Sequence, residues 1–237
     1  MYRNNATAAT VLIGLVLAMP ASASLNKSIK IDAGATSDGA SSVNGNVTVG
    51  DGAYISGDIS TVNGRIYVGN GVQAQDVESV NGRIQVGDDA NIHSVETVNG
   101  ANDVGSRVTV RDDVSTVNGT VKIGEATTVG GDVSAVNGKI MTVGTSISGD
   151  VINTNGGMDL GRGTRVTGDV VVRKPNNSGW GGSWRKKKPT VIIGPEVSID
   201  GTLRLEREVI LHVHESATIG SVEGKNVEMQ RYSGETP

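Results

Sequence analysis

Apolar residues along this chain fall in pairs two positions apart, and the pairs recur about every six residues. Ile84/Val86 is followed by Ala90/Ile92, and toward the C-terminus Val191/Ile193, Val197/Ile199, Leu203/Leu205 and Val209/Leu211 repeat the same step. Residues i and i+2 share one face of a strand, so each pair predicts a short strand with one buried face. A longer period overlies the short one. Val77, Val80, Ile84, Val86, Ala90 and Ile92 match Val114, Val117, Val121, Ile123, Thr127 and Val129, and Asn-Gly recurs at Asn44, Asn63, Asn81, Asn99, Asn118, Asn137 and Asn155 at spacings of 18 or 19. Val precedes the Asn each time except at Asn155, where Thr154 stands. Three six-residue sides make one coil.

Asn-Gly between two strands is also a strong hairpin signal, so an antiparallel meander is the rival arrangement. An in-register parallel stack sets each residue above its copy and gives a reason for unvarying Asn and Gly columns. The expected fold class is therefore all-β, a single-stranded parallel β-helix: a triangular β-solenoid of 18–19 residues per coil. The Asn column is expected to form a ladder of stacked amides at an inside corner. The glycines after it (Gly45, Gly64, Gly82, Gly100, Gly119, Gly138 and Gly156) are expected to take positive φ at the bend.

Composition agrees with narrow coils. Of 237 residues 34 are Gly, none is Phe and aromatics make up 3%, which leaves Val, Ile, Ala, Thr and Ser to fill the interior. Cysteine is absent, which excludes disulfides, thiolate metal sites and Cys nucleophiles. The N-terminus reads as a secretory signal over residues 1–23: Arg3, an apolar run through Ala18, then Ala21-Ser22-Ala23. That run is about half of the roughly 20 residues a membrane span needs, so no transmembrane segment is expected after cleavage. The expected location is the periplasm or the cell exterior. The remaining divisions are a lead-in or cap (24–40), the Val-Asn-Gly coils (41–172), a basic loop (173–189), further coils (190–229) and a tail (230–237).

The loop concentrates candidate chemistry. Arg173, Lys174, Arg185, Lys186, Lys187 and Lys188 carry its charge, and Trp180 and Trp184 are the protein's two tryptophans. Elsewhere acids outnumber bases, 25 Asp and Glu facing 21 Lys and Arg over the whole chain. Such segregation points to an anionic partner such as a lipid headgroup, lipopolysaccharide or acidic polysaccharide, with the indoles as anchors. A flexible insertion kept soluble by its charges, or contact with the acidic rod of a second copy, would leave the same sequence. An exported acidic protein is not expected to bind nucleic acid.

Asp58, Asp76, Asp113, Asp132, Asp150 and Asp169 form an acidic column broken by Ser94. Turns solvated and bonded to their own backbone are the simpler reading. Calcium is the weaker one, because the Gly-Gly-x-Gly-x-Asp signature of β-rolls is missing. His212 and His214 flank Val213 beside Glu215 and read as solvated histidines before they read as a metal site. No cofactor is expected. Neither a nucleophile elbow nor a phosphate-binding loop is present. The hexad spacing resembles that of hexapeptide-repeat acyltransferases, whose histidine base would have to be His93, which stands without an accompanying loop insertion. A non-enzymatic role is expected.

Ser60-Thr61-Val62-Asn63-Gly64-Arg65-Ile66-Tyr67-Val68-Gly69 resembles the repeat of adhesin-like proteins of bacterial envelopes. The triangular coil with Gly-Asp-Val turns is similar to bactofilins, β-helical proteins that polymerise. The first resemblance implies an exported scaffold that binds through its surface, the second end-to-end self-association. Neither brings catalytic residues.

Overall fold

A computed structural model describes residues 23–175, 188–224, 228–234 and 237. Residues 1–22, most of the expected signal segment, and, within the basic loop, Trp180, Trp184, Arg185, Lys186 and Lys187 lie outside the described residues. The described chain is all-β without helix, a parallel β-solenoid of about ten turns. At about 4.8 Å per coil the stack is roughly 45–50 Å long.

Each coil has three faces. The first is a continuous ladder from Ile29–Ile31 through Val47–Val49, Ile66–Val68 and Ile84–Val86 to Ile210–His214 and Glu228–Tyr232. The second carries short strands such as Tyr54–Ile55, Thr109–Val110 and Ser146–Ile147, and the third carries Ala40–Asn44, Ile59–Asn63, Val77–Asn81, Val95–Asn99 and Val114–Asn118. Register is kept from coil to coil through the Val-Asn-Gly repeats, where Ile84 stands between Ile66 and Asn102 and Asn99 between Asn81 and Asn118, and shifts by one residue in the last coil, between Ile199 and Thr202. The stack begins before residue 41, since Ile29–Ile31 already pairs with Val47–Val49. It runs into the tail, where Tyr232 pairs with His214.

The core is a column of Val and Ile with scattered Ala and Leu, and the paired positions read from the sequence (84/86, 90/92, 191/193, 197/199, 203/205 and 209/211) are all buried. Val80 and Val117 are not part of it. They lie half-exposed on the outer surface, and the inward position next to them belongs to Ser79 and Thr116. These buried hydroxyls point at the neighbouring coil's corner: Thr61 Oγ1 donates to the Gly45 carbonyl at 3.0 Å, Thr97 to Gly82 at 3.2 Å and Thr116 to Gly100 at 3.1 Å. A buried hydroxyl without a partner would cost about 1–3 kcal/mol, so Ser or Thr is tolerated here because the carbonyl is in reach.

Two expectations about the Asn-Gly corner are corrected. The asparagines form the ladder, with Nδ2 of each donating to Oδ1 of the one before, 2.7–3.0 Å apart from Asn44 to Asn155. The ladder stands outside, though: all seven side chains are exposed. It also starts one coil earlier, at Asn26. The glycines after them do not take positive φ. They are needed because a Cβ on Gly82, Gly119 or Gly138 would overlap the carbonyl oxygen of Gly64, Gly100 or Gly119 in the coil below. Positive φ recurs instead at the corner between the first and second faces, at Gly34, Gly52, Gly71, Gly144 and Gly163, and at Asp89, Arg107, Ala126 and Glu196 in the other coils.

Candidate binding surfaces

The acidic column is held differently from the expected local turns. Each carboxylate accepts the backbone N–H of the next coil: Asp132 N–H to Asp113 Oδ1 at 2.6 Å, Asp150 to Asp132 at 2.8 Å, Asp169 to Asp150 at 2.7 Å and Thr202 to Asp169 at 2.8 Å. Where Ser94 interrupts, its hydroxyl donates to Asp76 Oδ1 at 2.7 Å. At this corner the chain turns away from the wall, so a side-chain oxygen takes the place of a ladder carbonyl.

The basic loop leaves from the corner that Asn-Gly occupies elsewhere. Val170–Val172 before it remains paired with Val151–Asn153, and Thr190–Ile193 after it pairs with Met158–Leu160. The insertion thus replaces one corner without interrupting the wall, which is why the Asn ladder ends at Asn155. Its feet are fixed: Arg173 N–H donates to the Asn153 carbonyl at 2.8 Å, Lys174 N–H to Glu206 at 3.0 Å, and Lys188 Nζ lies 3.4 Å from a Glu208 carboxylate oxygen. One foot borders an open hollow of about 670 Å³ lined by Lys174, Arg204, Arg207, Glu206, Glu208 and Glu223. The other borders a hollow of about 370 Å³ that includes Lys139, Asn155, Lys188 and Pro189.

The histidines stand apart from one another in role. His214 Nδ1 is 2.8 Å from Ser216 Oγ and its ring packs edge-on against Tyr232, 5.1 Å between centroids. His93 Nε2 lies 3.9 Å from an Asp112 oxygen. Among the described residues no three carboxylate or imidazole groups converge on a point as placed.

Sequence reasoning missed two features. On the third face Glu78 and Glu96 stand directly above one another. Burial, and then the negative charges of Glu78, Asp113, Asp76 and Asp112, push the Glu96 carboxyl up to about 7. Burial first, then Asp76 and Asp58, raises that of Glu78 as well. The second feature is the C-terminal coil. Ile219 continues the Ile199 column, Val222 the Leu203 column and Met229 the Leu211 column, yet Val222 is 41% and Met229 40% exposed.

Comparison with family models, with curated proteins and with solved structures found no match to this chain.

Proposed function

We propose that this chain is an exported, non-enzymatic scaffold of the bacterial cell envelope, a short rod that holds its basic Trp loop toward an anionic surface component. The observation that supports this reading is the anchoring of the loop. A 17-residue insertion with six positive charges leaves a wall whose pairing it does not disturb, and both feet are tied down by Glu206 and Glu208. Holding the ends of a loop in place limits the entropy lost when it binds. Lipid headgroups, lipopolysaccharide and acidic polysaccharide share the chemistry such a loop recognises: dense negative charge beside an apolar boundary where indoles settle.

The test is flotation of the mature protein with phosphatidylglycerol vesicles, neutral phosphatidylcholine vesicles and lipopolysaccharide micelles. Changing Trp180, Trp184, Lys186, Lys187 and Lys188 to Ser is expected to weaken binding to the anionic surfaces about a hundredfold, from roughly 1 kcal/mol per lost lysine, with no change in melting temperature. Equal binding by both proteins would retire the reading.

A second reading, a bactofilin-like polymer built end to end, is supported by the uncovered C-terminal coil. Among the described residues no further strand pairs with it, and in its core columns Val222 and Met229 are left exposed.

A further inference from the structure

The charges of this rod are sorted by face. The acidic column runs beside the third face, whereas the outward side chains of the first face, from Lys30 to Asp159, include Lys30, Arg65, Arg83, Lys122 and Lys139 against Asp103 and Asp159. Both acids are neutralised on the face itself: Arg83 Nε lies 3.2 Å from an Asp103 oxygen and Lys139 Nζ 3.0 Å from an Asp159 oxygen. Arg65 and Lys122 have no ion pair among the described residues. In a chain with more acids than bases, this face keeps a net positive charge.

Two adjacent coils concentrate the chemistry. Ile66 pairs with Ile84 and Tyr67 with Gln85. Ile66, Val68, Ile84 and Val86 are buried, so Arg65, Tyr67, Arg83 and Gln85 point outward. Arg65 and Arg83 are neighbours in one column, a strand spacing of about 4.8 Å apart, and Tyr67 is 40% exposed. The corner just before them carries Asn63 and Asn81, exposed members of the amide ladder. Each ladder amide spends one N–H and one oxygen lone pair on its neighbours, which leaves a donor and an acceptor per coil for a ligand. The patch therefore offers two guanidiniums, an aromatic ring and amides that both donate and accept, with no carboxylate among its six side chains.

We propose that this part of the first face binds an extended acidic polysaccharide, a polymer of uronic acid units lying along the rod. The guanidiniums match sugar carboxylates through paired N–H donors. Sugar hydroxyls donate as well as accept, as the free halves of the ladder amides require; the phosphodiesters of a lipid surface only accept and would leave the amide oxygens without a partner. The Tyr67 ring supplies an apolar surface for the C–H face of a pyranose and a hydroxyl at its rim. A polymer also suits a surface that repeats once per coil, because successive units engage successive amides and the contacts reinforce one another. The polymer is one of the anionic classes proposed for the loop, but this surface is a different one, so either contact can fail without the other.

The experiment uses the full mature chain at low, constant ionic strength. Calorimetry follows titration with oligogalacturonate and with neutral dextran, and flotation follows binding to phosphatidylglycerol vesicles. Oligogalacturonate is expected to bind, less tightly as salt is added, and dextran about tenfold more weakly, since it lacks the carboxylates. Arg65→Ser/Tyr67→Ser is expected to weaken oligogalacturonate binding by about tenfold or more, through loss of a charge-assisted pair and of the ring surface. Its melting temperature and its vesicle binding should stay those of the wild type. Trp180→Ser, Trp184→Ser, Lys186→Ser, Lys187→Ser and Lys188→Ser together should leave oligogalacturonate binding unchanged. The proposal is overturned if the wild type does not bind oligogalacturonate, if the face variant binds it equally well, if only the loop variant loses it, or if the face variant loses vesicles instead.

Discussion

At the residue scale, identity is dictated less by the neighbours in sequence than by the copy one coil away. Gly119 shows this. Its φ is ordinary, so the conformational freedom of glycine is not what the position uses, and Cβ space against the Gly100 carbonyl is. Gly119→Ala must push two coils apart, and a destabilisation of about 2–3 kcal/mol is expected, in the range of overpacked cores; urea denaturation reads it directly. A loss below about 0.5 kcal/mol would mean the corner gives way freely. Asn102 is the opposite case. It stands between Ile84 and Val121 in a column of aliphatic side chains, fully buried. Its Nδ2 reaches the Ser115 carbonyl at 2.7 Å, but its Oδ1 has no partner. Asn102→Val, which restores the apolar column, is expected to raise stability by about 1 kcal/mol, the unmet acceptor outweighing the lost bond. A drop in the urea midpoint would show that the cross-core bond matters more.

At the element scale, three faces and three corners recur with different rules. The faces were legible from the sequence, because alternating burial leaves i, i+2 pairs that survive substitution among Val, Ile, Ala and Thr. The corners were only partly legible. The Asn column announces a ladder, but amide stacking works in water as well as in a core, so its outside position could not be read from spacing. The Gly column suggests a special backbone, yet its cause is a carbonyl 18 or 19 residues away. Glu78 and Glu96 look unrelated in the linear chain and become a pair only when coils are aligned. That pair makes the third face sensitive to pH. The folded Glu96 carboxyl holds its proton up to about 7, against about 4.3 for an unfolded glutamate. Between these values the folded state binds more protons than the unfolded one, so the contribution of Glu96 to stability is full below about pH 4.3 and is lost as pH rises toward and through 7. After allowance for the partial exposure of the side chain the loss is on the order of 1 kcal/mol, or roughly 2–4 °C in melting temperature for a chain of this size. Glu96→Gln should flatten that slope, and an unchanged slope would assign it to other carboxylates.

At the scale of the whole molecule, the ends decide what the repeat cannot. Within the stack every coil is covered by two others, whereas the last one exposes Val222 and Met229 in core columns. If polymerisation proceeds through this end, Val222→Lys/Met229→Lys should abolish filaments in electron micrographs and leave monodisperse short rods in light scattering. Short rods from the unaltered protein would leave the loop-bearing scaffold as the working description, and filaments from both proteins would shift attention to the other end. The near-constant separation of strand partners ahead of the basic loop carries one more consequence. Because each coil before the basic loop meets its copies 18 or 19 residues away, that part of the chain is modular, and its length is set in whole steps like the marks of a ruler. Removing residues 64–81 joins Asn63 to Gly82, which has the same corner role as Gly64, and shortens the rod by about 4.8 Å with every remaining column still aligned.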